Sequence, residues 1–285
     1  MTFPIQQLLP ANYPPYLREI PSVPKRLFVR GALPPPDHVL LCVVGSRATT
    51  PYGWRMCQTL ISGLARYPVA IVSGMALGID SEAHKTALDV GLPTVAVLPS
   101  SCDDASLYPS SNKPLAQRIL ARGGALLSEN EAPFKAMAHS FEQRNRVMAG
   151  MSKATLVIEA GEKSGTLITA RLALDYNREV LAVPHELGRE SGAGANRLIR
   201  EGATLVRNSD DILEALGLKS EPVQTTLPTD LTEIEIAILE TLVEPLVKDE
   251  VIEYSGLSAQ EVSVALTSLL IRGIIVERLG KIERV

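Results

Sequence analysis

Several short stretches, far apart in the chain, carry residues suited to holding an anion. The first, Val44-Gly45-Ser46-Arg47 followed by Thr49-Thr50-Pro51-Tyr52-Gly53, joins a permissive turn and hydroxyls to a helix start and one guanidinium. Backbone N–H groups and a helix N-terminus offer partial positive charge, and an arginine can grip two phosphate oxygens at once. The same residues would also make a capped tight turn with its arginine in solvent. A second stretch, Ser73-Gly74-Met75-Ala76-Leu77-Gly78-Ile79-Asp80, places Gly74 and Gly78 four apart, which allows close backbone approach. Asp80 and His84 stand at i and i+4, on one helix face. That spacing suits a metal pair or an acid/base pair, but with no third ligand or nucleophile nearby, a helix cap and a hydrogen-bonded histidine are the simpler reading.

Phe141-Glu142-Gln143-Arg144-Asn145-Arg146 then supplies two guanidiniums flanking an amide. Two apart, Arg144 and Arg146 diverge on a helix unless they lie in an irregular first turn, so they read either as phosphate clamps or as surface charges. Glu159-Ala160-Gly161-Glu162-Lys163-Ser164-Gly165-Thr166 ends in small hydroxyl residues at a helix start, as a phosphate cradle would. It is not a Walker A loop, and Gly45-Ser46-Arg47 lacks the full GxGxxG fingerprint, so ATP and NAD are poor candidates and no cofactor is expected. Finally, Gly192-Ala193-Gly194-Ala195-Asn196-Arg197 precedes another helix.

These loops need elements that bring them to one place. Apolar runs of strand length at 39–44, 69–72, 94–98, 125–127, 154–158, 180–183 and 204–206 alternate with helix-length segments at 52–67, 81–90, 112–121, 141–150, 166–176, 196–201 and 210–216. Continuous apolar strands separated by helices predict an α/β fold: an extended Rossmann-like, doubly wound, mostly parallel sheet covered on both faces. In such sheets ligands bind outside the carboxyl ends of the strands, where these loops fall. Residues 1–36, rich in proline, read as an extended lead-in packed on a main domain over 37–218. Polar residues 219–229 read as a linker. Residues 230–285 show three short amphipathic helices and a terminal hairpin, the pattern of a small winged-helix domain.

The chain has 285 residues, 46% of them apolar and 21% charged, enough for a substantial core. Its net charge of −4 is unevenly spread: residues 228–285 hold five basic and eleven acidic side chains, a net of −6, which leaves +2 for residues 1–227. A near-neutral domain can still present the local basic stripe that phosphate binding requires. Aromatic residues make up 4% of the chain, with Trp54 the lone tryptophan, so stacking platforms for bases are few and nucleic-acid contacts should lean on phosphates. Cys42, Cys57 and Cys102 show neither disulfide nor zinc spacing, and no metal site is expected. No run approaches a membrane span, and the Met1-Thr2-Phe3-Pro4 start lacks signal-peptide character, so the expected location is the cytoplasm, without a membrane partner.

Taken together, Gly45-Ser46-Arg47, Ser73-Gly74 with Gly78-Ile79-Asp80 and Ala83-His84, Tyr108-Pro109 with Asn112, Arg144-Asn145-Arg146, Glu159-Ala160-Gly161 with Ser164-Gly165-Thr166, and Asn196 with Leu198-Ile199 resemble the DNA-processing protein A (DprA, or Smf) family of bacteria over residues 13–216. The resemblance implies a protein without enzymatic activity that binds and protects single-stranded DNA, forms a homodimer and loads the RecA recombinase during natural transformation. It also implies DNA-phosphate contacts at Arg47 and at Arg144, Asn145 and Arg146, to which the loop chemistry adds Gly45, Ser46, Ser73, Gly74, Gly78, Ser164, Gly165, Thr166 and Asn196 as expected phosphate contacts. Departures from the family pattern are Leu98-Pro99-Ser100-Ser101-Cys102-Asp103 and Val183-Pro184-His185, where glycines are usual, and Glu142 in place of proline, and the N-terminal helical domain many members carry is expected to be missing. The alternative is a nucleotide-processing enzyme similar to the lysine-decarboxylase-like phosphoribohydrolases, which share the Gly165-Thr166 element. The third helix of the winged-helix segment offers Ser258, Gln260, Glu261, Ser263, Thr267 and Ser268 rather than basic residues, so that segment is expected to bind protein or its own core rather than duplex DNA.

Overall fold

Runs such as Val39–Val44, apolar at every position, make strands that need cover on both sides, and the chain supplies it by alternating strand and helix. The computed structural model describes residues 3–219, 231–242, 246–272, 274–278 and 281–284, in two compact units, Met1–Ser220 and Glu221–Val285. In chain order the first unit contains β1 (Ile5–Gln7), β2 (Phe28–Gly31), β3 (Val39–Val44), α1 (Pro51–Ser62), β4 (Val69–Ser73), α2 (Ile79–Asp89), β5 (Thr94–Val97), α3 (Lys113–Ala121), β6 (Ala125–Ser128), α4 (Ala138–Met151), β7 (Ala154–Val157), α5 (Thr166–Asp175), β8 (Glu179–Ala182), α6 (Ala193–Arg200), β9 (Thr204–Leu205) and α7 (Ser209–Ala215).

The sheet runs β1-β2-β6-β5-β4-β3-β7-β8-β9. From β6 to β9 every pairing is parallel, while β1 and β2 pair antiparallel at the β6 edge. This is the expected Rossmann-like, doubly wound sheet. Strand order reverses between β3 and β7, so the loops that follow these two strands diverge to opposite faces and leave a crevice between them. Alternation along β3 feeds two cores: Cys42 and Val44 pack with α4, α5 and α6 residues, and Leu41 and Val43 with α1, α2 and α7 residues. Each fully buried leucine or isoleucine in these layers contributes roughly 2–3 kcal/mol of transfer free energy.

The proline-rich lead-in does more than pack against the domain. It supplies β1 and β2, and Tyr13, Leu17 and Ile20 enter the core beside α4. Arg178 fixes it by lying 4.5 Å from the Tyr16 ring centre and donating to the Tyr16 carbonyl at 2.8 Å.

The second unit contains α8 (Glu233–Thr241), α9 (Lys248–Ser255), α10 (Ala259–Ile271), β10 (Ile275–Arg278) and β11 (Lys281–Arg284). Reciprocal capping starts α8 and α10: Thr232 Oγ1 accepts from Glu235 N–H and the Glu235 carboxylate accepts from Thr232 N–H, with Ser258 and Glu261 repeating the pattern. Ile238, Leu242, Val251, Val262, Leu266 and Ile275 form its core. Apart from Lys219, the linker expected over 219–229 lies outside the described residues.

Candidate functional site

A cleft of about 680 Å³ opens at the β3/β7 reversal, lined from four directions: Gly45–Ala48 after β3, Ala76 and Asp80 after β4, Phe141, Glu142, Arg144 and Asn145 on α4, and Ser164–Thr166 at the start of α5. Its two principal loops are tied together. Thr166 Oγ1 donates to the Gly45 carbonyl at 3.1 Å, and Glu159, buried at the end of β7, accepts from the Thr50 N–H at 3.0 Å and hydroxyl at 2.8 Å. Thr50 in turn caps α1 by accepting from Gly53 N–H, with Pro51 in the first turn.

The β4 loop presses on the β3 loop from the other side. Ile79 N–H donates to the Ser46 carbonyl at 3.1 Å. Gly78 has φ +80° and ψ −131°, a conformation open to glycine alone, and a Cβ there would run into the Ser46 carbonyl and come within 2.7 Å of the Arg47 carbonyl. Gly78 thus lets the two loops meet, while Gly74 leaves the space that the Arg144 guanidinium fills.

Arg47 is exposed in the cleft, its guanidinium 5.6 Å from the Phe141 ring centre. Phe141 meets Tyr108 edge to face, with centroids 5.6 Å apart and planes at 82°. This aromatic pair beside a guanidinium escaped the reading from composition, which counted rings without seeing that two of the eleven phenylalanines and tyrosines gather here. A base can stack on such a platform while Arg47 holds its phosphate.

Arg144 lines the same cleft but is only 6% exposed. Its Nη1 donates to the carbonyls of Gly74 and, at 2.9 Å, Val97, at the ends of β4 and β5, and its Nε donates to Asn145 Oδ1 at 3.1 Å. Burial lowers its pKa, and the nearby Asp80 carboxylate raises it. The structure does not bring Arg146 to this place: mid-helix divergence turns it to the Glu129 carboxylate and the Ser22 carbonyl of the lead-in. Nor does Asn196 reach the cleft. It holds the loop after β8, accepting from His185 N–H at 2.9 Å and donating to the His185 carbonyl at 3.0 Å. With Lys163 and Arg197 it borders a separate groove of about 920 Å³. Ser73 is buried, its hydroxyl donating to the Val43 carbonyl at 2.7 Å.

Asp80 accepts from Ala76 N–H at 3.3 Å, and burial raises its pKa against the opposing pull of Arg144. His84 is sealed in the core with Nδ1 2.7 Å from Thr94 Oγ1, and burial holds its pKa down to about 3. Among the described residues no group of three His, Cys, Asp or Glu side chains stands ready for a metal, and no helix is long and apolar enough to cross a membrane. Burial pushes the Cys42 and Cys102 thiols up to about 12 and raises Cys57 as well, which leaves all three inert. Where glycine was expected, His185 sets its ring edge to face on Tyr52 and within hydrogen-bond reach of the Ile158 carbonyl, 2.9 Å from Nε2.

The charged side chains of the lining are Arg47 and Arg144 against Asp80 and Glu142. This is a formally neutral set rather than the basic stripe expected. What it offers an anion is arrangement: one exposed guanidinium, a loop of hydroxyls, and the start of α5.

Fold and cleft together define a Rossmann-like protein with a tethered, multi-loop cleft at its topological switch point. Residues 6–217 match the model of the DNA recombination-mediator protein A family, and the chain belongs to that family. It is 37% identical to the Smf protein of Escherichia coli over 282 residues, covering 95% of this chain and 75% of that one. It is 37% identical to the DNA processing protein DprA of Streptococcus pneumoniae over 211 residues, 74% of this chain and 73% of that one. The crystal structure of the Streptococcus pneumoniae DprA superimposes with a TM-score of 0.68 at 34% identity, covering 77% of this chain and 75% of that one. A Helicobacter pylori DprA, whose structure concerns its single-stranded DNA binding mode, gives 0.66 at 31% identity over 75% of this chain and 96% of that one.

Proposed function

We propose that this protein binds single-stranded DNA in the switch-point cleft and passes the strand, as a homodimer, to the RecA recombinase during the uptake and recombination of DNA. One observation carries the DNA part of this reading: loops from β3, β4 and β7, together with α4, converge on a single cleft that offers an exposed guanidinium, hydroxyls and an aromatic pair at once. Gly45, Ser46, Arg47, Asn145, Ser164, Gly165 and Thr166 are the residues we assign to phosphates, and Phe141 with Tyr108 to a base. Gly74, Gly78 and Arg144 serve the strand by holding these loops in place. A duplex buries its bases and denies them to the aromatic pair, which favours single strands.

The recombinase partner, the homodimer and the cytoplasmic location are supported by family membership alone, and we assign no reaction to the cleft. Fluorescence anisotropy with a labelled oligothymidylate tests the site. Arg47→Ala should weaken binding by about 10- to 100-fold, the loss of a charge-assisted phosphate contact and a cation–π neighbour. It should also flatten the slope of log K against log salt by roughly 0.7. Binding equal to wild type would refute the site.

A further inference from the structure

The floor of the cleft joins two opposite charges that water scarcely reaches, Arg144 at 6% and Asp80 at 5% exposure. Arg144 directs its donors to protein, to the Gly74 and Val97 carbonyls and to Asn145. Asp80 faces the same space and accepts from Ala76 N–H. Each feels the other's charge, and both feel Arg47. A carboxylate in an anion-binding cleft works against its ligand. The backbone hydrogen bonds it accepts, from Ala76 and Gly74, do not require the charge, because the carbonyl oxygen of an asparagine has two lone pairs with which to accept them.

Resting on the DNA-binding reading, we propose that Asp80 is a charge-setting positioning residue: it offsets buried Arg144, leaves Arg47 as the working cation, and keeps the grip on a phosphodiester strand loose enough for release. Buried charges escape the salt screening that weakens exposed ones. An unbalanced guanidinium at the floor would therefore neutralise a further phosphate of the bound strand, and a strand to be handed on would be held too long. Glu142, exposed at the rim, is solvated and screened, so it cannot replace this function.

The test is a charge cycle in the full chain: Asp80→Asn, Arg144→Gln and the double variant, each measured by anisotropy with a labelled oligothymidylate over a salt series and by thermal melting without DNA. Asp80→Asn should bind about 3- to 10-fold tighter at low salt and steepen the salt slope by up to about 0.7. Arg144→Gln should do the reverse, and the double variant should return toward wild type. A merely structural role for Asp80 would lower the melting point and weaken binding without steepening the slope, which would overturn the inference. Should Asp80→Asn fail to fold, the comparison of Arg144→Gln with the double variant decides, because a double variant no tighter than Arg144→Gln, or itself unfolded, overturns the inference too. If wild type binds the strand and Arg47→Ala loses it while the cycle stays flat, this inference alone fails. If wild type does not bind, the DNA-binding reading fails with it.

Discussion

Replacing Gly78 by alanine tests whether the β3 and β4 loops meet as described. Its φ of +80° and ψ of −131° lie where side chains are strained, which costs about 1–3 kcal/mol. The new Cβ would also overlap the Ser46 carbonyl and sit 2.7 Å from the Arg47 carbonyl, so the backbone bearing Arg47 must move, for another ~1–3 kcal/mol. Gly91 provides the control, with the same φ of +80° but nothing within 4 Å of a Cβ. Gly91→Ala then incurs only the left-handed penalty, about 1–2 kcal/mol. At roughly 2–4 °C per kcal/mol for a domain of this size, the summed ~2–6 kcal/mol should make Gly78→Ala melt about 4–24 °C below wild type, against about 2–8 °C for Gly91→Ala. Gly78→Ala should also lose single-strand affinity, because Arg47 is displaced, whereas Gly91→Ala should keep it. Differential scanning fluorimetry and anisotropy read both. Equal melting shifts, or full affinity in Gly78→Ala, would refute the contact between these loops.

Phe141→Ala should weaken binding by about 1–3 kcal/mol, the worth of one stacked base, without changing the salt slope measured by anisotropy. Arg146→Ala should act on stability instead: it strands Glu129, whose carboxyl burial already raises, and releases Ser22, so denaturant melts should lose about 2–3 kcal/mol while the salt slope of DNA binding stays that of wild type. The neutral, buried His84 should make the protein acid-sensitive. The folded imidazole stays unprotonated down to about 3 while the unfolded one takes a proton near 6.5, so stability is full above 6.5 and falls by up to about 1.4 kcal/mol per pH unit below it. Urea titrations of wild type and His84→Gln over that range should converge as the pH drops, and parallel curves would contradict it.

The parallel strands were legible because each is buried on both faces and therefore apolar without interruption, and the glycine and hydroxyl punctuation marked where the loops begin. The lead-in was less so. Ile5–Gln7 and Phe28–Gly31 become strands by pairing with each other and with β6, a partnership across about a hundred residues that no local pattern records. Charge was read most poorly. Arg144 and Arg146 look alike in sequence, and their two-residue spacing foretold only that they diverge. Which one would face the cleft, and that Asp80 would lie beside it, depends on the packing of α4 against β4 and β5. The meeting of Tyr108 with Phe141 is likewise a tertiary fact.

The short ends of the sheet limit how this chain can associate with itself. The outermost strands, β1 and β9, have three and two residues. Neither offers the row of unpaired amides and carbonyls on which another sheet could grow, so runaway fibre-like stacking through the main chain finds no template. At this sheet a second copy would have to be recognised through side chains instead. Such an interface can be dissolved by a single well-placed charge while the sheet within each copy stays whole.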